Sequence, residues 1–393
     1  MTDPGAASIV DLDLRGRAVV RLVAAGPAEL RAIGRQLGPL PAIAQPTAAS
    51  DPPRSAPDPG ADRRPDLTIR FVDRLERRGT VRRIGADAQL VDGAFILTRG
   101  KRQSEVRVEV PVGSLGSGPA TIVVERGARS IPLLLPILAA SLLGRGIATA
   151  HASAFLLDGR GVLVSGWAKG GKSEALLGFL AHGARYVGDE WLFIDPDGPT
   201  MFGAPEPIRL WDWQLAQVST IRDAVGRSDR ARLLASGSLA RLLAGIGRAP
   251  AIGGSAVGEA ARRAGAVVDR QRSRQFPVEE LFGSAAIHPE AVAIDRVVLV
   301  TGSTEDGVRT GVDPAEAAAR VAATTAHELL DLEGLRFAYR HAVPDAPTTG
   351  LEGLEARLRA VYASAFAGAP TIEVRHRHPP DIAGLHRLIA SAL

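Results

Sequence analysis

The sequence predicts an α/β fold: a mixed sheet with much antiparallel pairing, built around one glycine-rich strand–loop–helix unit. Two observations carry this. The glycine-rich loop from Gly166 to Ser173 lies between an apolar, branched run at 162–164 and a helix-like run at 172–182. Elsewhere, short apolar runs face each other across turn residues. The pairs are 89–91 with 94–98 across Asp92-Gly93, 151–157 with 161–165 across 158–160, and 191–194 with 200–202 across 195–198.

Taken in order, residues 18–23 are apolar and branched and read as a strand. Leu30, Ile33 and Leu37 share one face of a helix over 27–37. Together they predict a small N-terminal strand–helix unit, residues 1–43, too short to bury a core alone and expected to dock on the rest. Residues 44–66 hold Pro46, Pro52, Pro53, Pro57, Pro59 and Pro65 and almost no large apolar side chain. Proline at that density blocks helix and sheet alike and predicts a disordered linker. Residues 67–150 read as a β-rich part of the main domain, with strands at 67–72, 89–91, 94–98, 106–112 and 121–124, then a helix over 131–143. Residues 151–393 form the core of the main domain. Its strands at 151–157 and 161–165 lead into the loop, and Gly183 suits the end of the helix that follows. A short strand then ends at Asp189-Glu190. Further on come a strand at 297–301, a helix from 314 to about 332, a helix over 351–366, a strand at 371–374 and a closing helix over 382–393. There is no internal repeat.

The chain has 393 residues, enough for one large domain or two to three ordinary ones. Hydrophobic residues make up 46% and charged residues 23%, ordinary globular values that exclude wholesale disorder. Absence of cysteine excludes disulfides, thiolate catalysis and cysteine-ligated metal sites. The pI of 9.9 comes from arginine, for only Lys101, Lys169 and Lys172 are lysines. The basicity is local. Residues 222–274 contain eleven arginines against four acids, a segment charge of +7, whereas the whole chain carries +4. This stretch reads as a solvated helical insertion; the functional alternative is a surface for an acidic or phosphorylated partner. The acidic start lacks a secretory pattern, and the apolar run 131–143 is interrupted by Pro132 and Pro136 and too short for a membrane span. A cytoplasmic protein is expected, with no membrane and no nucleic-acid partner. A homo-oligomer is left open.

Gly166-Trp167-Ala168-Lys169-Gly170-Gly171-Lys172-Ser173 fits G-x-x-x-x-G-K-[ST]. Each part has a physical job. Glycines let the backbone curl so that its N–H groups point inward at phosphate oxygens, and the following helix adds its N-terminal dipole. Lys172 would place a charge on the β- and γ-phosphates, and the Ser173 hydroxyl would ligate Mg²⁺. Two of the three lysines lie in this motif. The ordinary alternative is a glycine-rich turn without a ligand.

From His151 onward the chain resembles the catalytic core of HPr kinase/phosphorylase and its wider P-loop relatives, which include phosphoenolpyruvate carboxykinase. The resemblance rests on His151-Ala-Ser, the strand 161–165, the loop 166–173, its helix, and Tyr186-Val-Gly-Asp-Glu190. Gly203 to Leu210 looks like a Gly-x-Pro…Arg element of HPr-kinase-like proteins. The close match covers about sixty residues. It implies an HPr-kinase-like mixed sheet and ATP-dependent phosphoryl transfer to a serine hydroxyl of a peptide or small protein. Asp189 would then be the base for the acceptor, Glu190 a magnesium contact with Ser173, and His151 a neighbour of the phosphates. Lys169 stands where the family has a glycine, and Glu190 where it has a second aspartate. The family's second signature and N-terminal domain have no clear copy here, so the resemblance does not extend to HPr itself as substrate.

Asp189 and Glu190 follow a strand, where a Walker-B-like acid belongs. Adjacent strand residues face opposite ways, so one of the two is expected to face the metal. Their ordinary reading is a solvated turn, and that of His151 a plain strand-end histidine. Arg209 would contact phosphate or acceptor, or else pair with Glu206 or Asp212. All four tryptophans fall between Trp167 and Trp213 and read mostly as core or pocket wall. His376 and His378 alternate on a strand without further ligands nearby in sequence, and no metal site is expected there. The rival functions are a small-molecule kinase on the same scaffold and a nucleotide-binding regulator without catalysis.

Overall fold

The computed structural model describes residues 8–43, 64–99, 106–195, 199–249, 255–269, 272–348 and 350–393. It is a mixed α/β structure with two large sheets.

Among the described residues the first sheet has nine strands. Strands β1 (Ile9–Leu14) and β2 (Ala18–Val23) form a hairpin, α1 (Pro27–Leu37) follows, and β3 (Ala42–Ile43) returns to β1. Then come β4 (Leu67–Val72), β5 (Val81–Ile84), β6 (Ala88–Val91), β7 (Ala94–Arg99), β8 (Val106–Glu109) and β9 (Ala120–Glu125). The order is β3-β1-β2-β4-β9-β8-β7-β6-β5. In β4 the alternating Leu67, Ile69 and Phe71 are buried, each worth about 1.5–3 kcal/mol of transfer free energy. Asp92-Gly93 turns β6 into β7, both residues at positive φ, as its sequence required. The N-terminal strands join this sheet through parallel pairing of β2 with β4. Of the proline-rich 44–66 stretch, residues 44–63 lie outside the described residues. Asp66 itself is buried, accepts a hydrogen bond from Val19 N–H at 2.8 Å and pairs with Arg145 at 2.6 Å.

Helix α2 (Leu134–Leu143) links the sheets. It starts three residues later than its apolar run, because Leu133 sits at φ 56 before it; Pro136 then falls in the first turn, where no intrahelical donor is lost. The second sheet follows: β10 (Ala148–Leu157), β11 (Arg160–Ser165), α3 (Lys172–Ala181), β12 (Arg185–Gly188), β13 (Trp191–Asp195) and β14 (Thr200–Gly203). A side excursion comprises β15 (Ile208–Trp211), α4 (Gln214–Gln217), α5 (Ser219–Ala224), α6 (Arg227–Arg248), α7 (Ala256–Asp269), β16 (Ser273–Phe276) and α8 (Val278–Phe282). The chain re-enters the sheet with β17 (Val292–Ala293), β18 (Arg296–Ser303) and β19 (Gly307–Thr310). It ends with α9 (Pro314–Glu328), α10 (Leu330–Ala342), α11 (Leu354–Phe366), β20 (Thr371–Arg377) and α12 (Ile382–Ala390). The order is β17-β14-β13-β10-β11-β18-β20-β19, with β12 also paired to β10. Strands β11, β18 and β20 run parallel; the neighbours β10 and β19 are antiparallel to them.

Over its described part the basic segment is mostly helical, as the end of α5 with α6 and α7, and its last two residues open β16. The helix expected from 314 to about 332 breaks at Leu329, and α10 continues from Leu330. Strand β5, short and polar, had no clear sequence signal, whereas β1 alternates apolar and acidic residues yet lay outside the strands expected from sequence. Among the described residues no helix is long and apolar enough to cross a membrane.

Candidate active site

Strand β11 delivers the loop at the carboxyl end of the parallel strands. Close packing dictates its glycines. A Cβ on Gly166 would lie 2.3 Å from Val300 O, and one on Gly171 would lie 2.7 Å from His376 Nε2. Gly171 also sits at φ 105, where it caps the ten-residue helix α3. Lys169 occupies the left-handed region at φ 61, a conformation suited to glycine. Lys172 is buried, and its Nζ donates to Gly166 O at 3.0 Å and Trp167 O at 3.2 Å. Burial lowers its pKa, against the pull of nearby carboxylates. His376, from β20, braces the loop from below: its Nε2 is 2.7 Å from Gly170 O.

The acid pair lies directly after the end of β12 and before β13. Strands β12 and β13 both pair with β10, and Asp189-Glu190 is the corner between them. Trp191 N–H donates to Asp189 O at 2.8 Å around Glu190, which sits at φ 64. An i to i+2 bond around a positive φ is the rare, strained form of γ-turn. The corner breaks the strand alternation, so both carboxylates reach the site. Only Asp189 meets Ser173; Glu190 meets His151.

Asp189 is buried and accepts from Ser153 Oγ at 2.6 Å and from Ser173 Oγ at 3.0 Å. Burial, reinforced by the neighbouring Glu190 charge, pushes its pKa up to about 7. Glu190 is half-exposed. Its Oε2 lies 3.0 Å from His151 Nε2, and that hydrogen bond holds its pKa below the usual carboxylate range. His151 is buried on β10; its Nδ1 faces Glu328 of α9 at 3.4 Å, and its backbone N–H donates to Thr325 Oγ1 at 3.0 Å. Ser173 therefore meets Asp189, and His151 meets Glu190.

Arg209, on β15, pairs with neither Glu206 nor Asp212. Its Nη1 donates to Ser273 Oγ at 3.4 Å, and its charge helps to hold the Glu190 pKa down. Asp212 pairs instead with Arg272 at 3.0 Å. Glu206 adds a third carboxyl whose Oε1 is buried without a partner; burial and the two other acids raise its pKa well above the ordinary value. Trp167 is exposed in the loop and stacks on His327 of α9, ring centroids 4.8 Å apart. Beside them a cavity of about 480 Å³ opens between the loop, the end of β18 and α9, with Thr301, Arg320 and Thr324 in its wall.

The residues present fit a magnesium-bound phosphate chain. Ser173 and Asp189 are hard oxygen donors at one point, beneath a glycine cradle at a helix N-terminus. Among the described residues, no cluster of three or more His, Asp or Glu is arranged to hold a metal by itself. Mg²⁺ does not need one, since it is usually held by one or two carboxylates together with phosphate and water oxygens.

No protein-family profile matches the chain, and no curated protein matches it. The site stands on its own geometry. Ser153, Thr325 and Glu328 belong to it and were not singled out from sequence, and His376 was noted there only as a strand histidine without a role at the loop. Ser153 had a signal, being two residues from His151 on one strand and so on the same face. The others arrive from α9 and β20, more than 170 residues along the chain from His151, with no local mark.

Proposed function

We propose that the chain is an ATP- and Mg²⁺-dependent serine kinase acting on a peptide or small protein, on an HPr-kinase-like P-loop scaffold. The observation that carries this is the contact of Ser173, the last residue of the phosphate loop, with Asp189 at 3.0 Å, alongside the His151–Glu190 pair. Loop N–H groups and Lys172 would hold the β- and γ-phosphates. Mg²⁺, when bound, would neutralise charge between them, held by Ser173 and Asp189. This assigns the metal to the first acid rather than the second. It leaves Glu190, half-exposed and steadied by His151, to take the acceptor proton. The serine oxygen attacks the γ-phosphorus, its proton passes to the Glu190 carboxylate, and the bond to the β–γ bridging oxygen breaks, with ADP leaving. Phosphoryl transfer asks little more of a protein than such positioning and charge neutralisation.

Mg-ATP binding and turnover by wild type, Lys172→Ala, Asp189→Asn and Glu190→Gln test this. Lys172→Ala should lose nucleotide binding. Asp189→Asn should lose dependence on Mg²⁺. Glu190→Gln should bind nucleotide normally and transfer about 10²- to 10⁴-fold more slowly. A wild-type chain that binds no nucleotide would sink the reading. Normal binding with no turnover in wild type would favour a nucleotide-responsive regulator.

A further inference from the structure

The +7 segment builds a surface of its own. Of the twelve large apolar side chains exposed among the described residues, five are on α6 and α7: Leu234, Leu239, Leu242, Val257 and Val267. On α6, Leu233, Gly237 and Ala240 are buried, while Leu239 and Leu242 lie on the other side of the helix. A groove of about 620 Å³ runs along α6 to the end of α7 and β16. Leu233, Leu239 and Val268 line it, and Arg232, Ser273 and Arg274 mark its polar edge.

The groove shares Ser273 with the hydrogen bond made by Arg209. Strand β16 pairs with β15, placing Arg274 opposite Leu210 and Gln275 opposite Arg209. Ser273, at the groove, accepts the hydrogen bond from Arg209, and Arg209 is felt electrostatically at Glu190. A second copy of this hairpin would meet its own net positive charge. Nucleic acid would use the arginines but not a concave leucine and valine floor, and a lipid surface would not enter a groove.

We propose that this groove binds an acidic, apolar segment of the acceptor peptide, next to the serine that is phosphorylated; the proposal rests on the kinase reading above. Leucine-like side chains of the segment fill the floor. Its carboxylates pair with Arg232 and with Arg274, the latter exchanging its present partner Asp229.

The test is selection of a random dodecapeptide display library on the full chain, with Mg-ATP binding measured in parallel. Enriched sequences should combine Asp or Glu with Leu, Ile, Val or Phe. A synthetic peptide of the enriched sequence should bind Leu239→Asp and Arg232→Glu about tenfold more weakly than wild type. Both positions are exposed, so these variants should fold and retain nucleotide binding. No enrichment, a basic consensus, or binding to both variants as tight as to wild type would overturn the proposal. So would binding of phosphatidylglycerol vesicles or duplex DNA that these variants abolish, without acidic peptides being enriched. Groove-dependent binding of acidic peptides by a chain that fails to bind Mg-ATP would sink the kinase reading instead and leave the peptide site standing.

Discussion

Asp189 illustrates how much a single buried carboxyl can be asked to do. Two hydroxyls donate to it, yet burial and the adjacent Glu190 keep its pKa near 7. A carboxyl whose folded pKa lies above its ordinary value of 3.8 binds its proton more tightly in the folded state. Its ionisation therefore subtracts stability as pH rises from about 4 to 7, and the full penalty is present above 7. Asp189→Asn should accordingly raise the melting temperature at pH 8, by at most a few kcal/mol in stability, and change it little at pH 4. A variant that melts at the wild-type temperature at both pH values would contradict this account. At Glu190 the backbone itself is strained. Glu190→Ala keeps the φ of 64 and Glu190→Gly relaxes it, so the glycine variant should be the more stable of the two by about 1 kcal/mol in urea unfolding.

At the scale of the element, the loop and its helix were legible because spacing alone defines them. Strand β11, the glycines, Lys172 and α3 fall where the pattern put them. Close contact with other strands makes two of the glycines irreplaceable. Gly171→Ala would combine a positive φ with a Cβ 2.7 Å from His376. It should lower stability by about 2 kcal/mol and abolish nucleotide binding, read by thermal melting and a fluorescent nucleotide titration. The acid pair follows β12 as its sequence suggested, but the turn geometry that separates its two carboxylates was not legible. Period-two reasoning holds within a strand, but β12 and β13 are two strands with a turn between, and no residue type at 189 or 190 announces a positive φ. The helix from Pro314 was overextended for a related reason: Leu329 continues the apolar pattern while its N–H group already closes α9.

Across the whole molecule, the first sheet makes the N-terminal strands part of a larger core rather than an appendage. Leu14, Val20 and Leu22 are buried in the same cluster as Ile69, Ile122 and Leu138. Asp66 ties them together, accepting from Val19 on β2 and pairing with Arg145 just after α2. Asp66→Ala would leave the buried Val19 donor without its acceptor and should destabilise the chain by about 2 kcal/mol, measured by chemical denaturation. Substituting Arg145 would leave the buried Asp66 carboxylate without its counter-charge and should cost a comparable amount, about 3 kcal/mol. The same long-range packing carries Thr325 and Glu328 of α9 to His151, and His376 of β20 to the loop.

Sequence by itself determined the mixed α/β class, most strands and helices of the second sheet, the glycine-rich strand–loop–helix unit and the charge of the 222–274 segment. All of these rest on near-neighbour spacing and composition, which act within a few residues. Only the tertiary structure decided which side chains meet. It put Ser173 on Asp189 and His151 on Glu190, gave Glu190 its strained corner, and set an apolar groove beside Arg209. Those contacts join residues far apart in the chain. Their geometry comes from burying both sheets at once, and no local pattern encodes it.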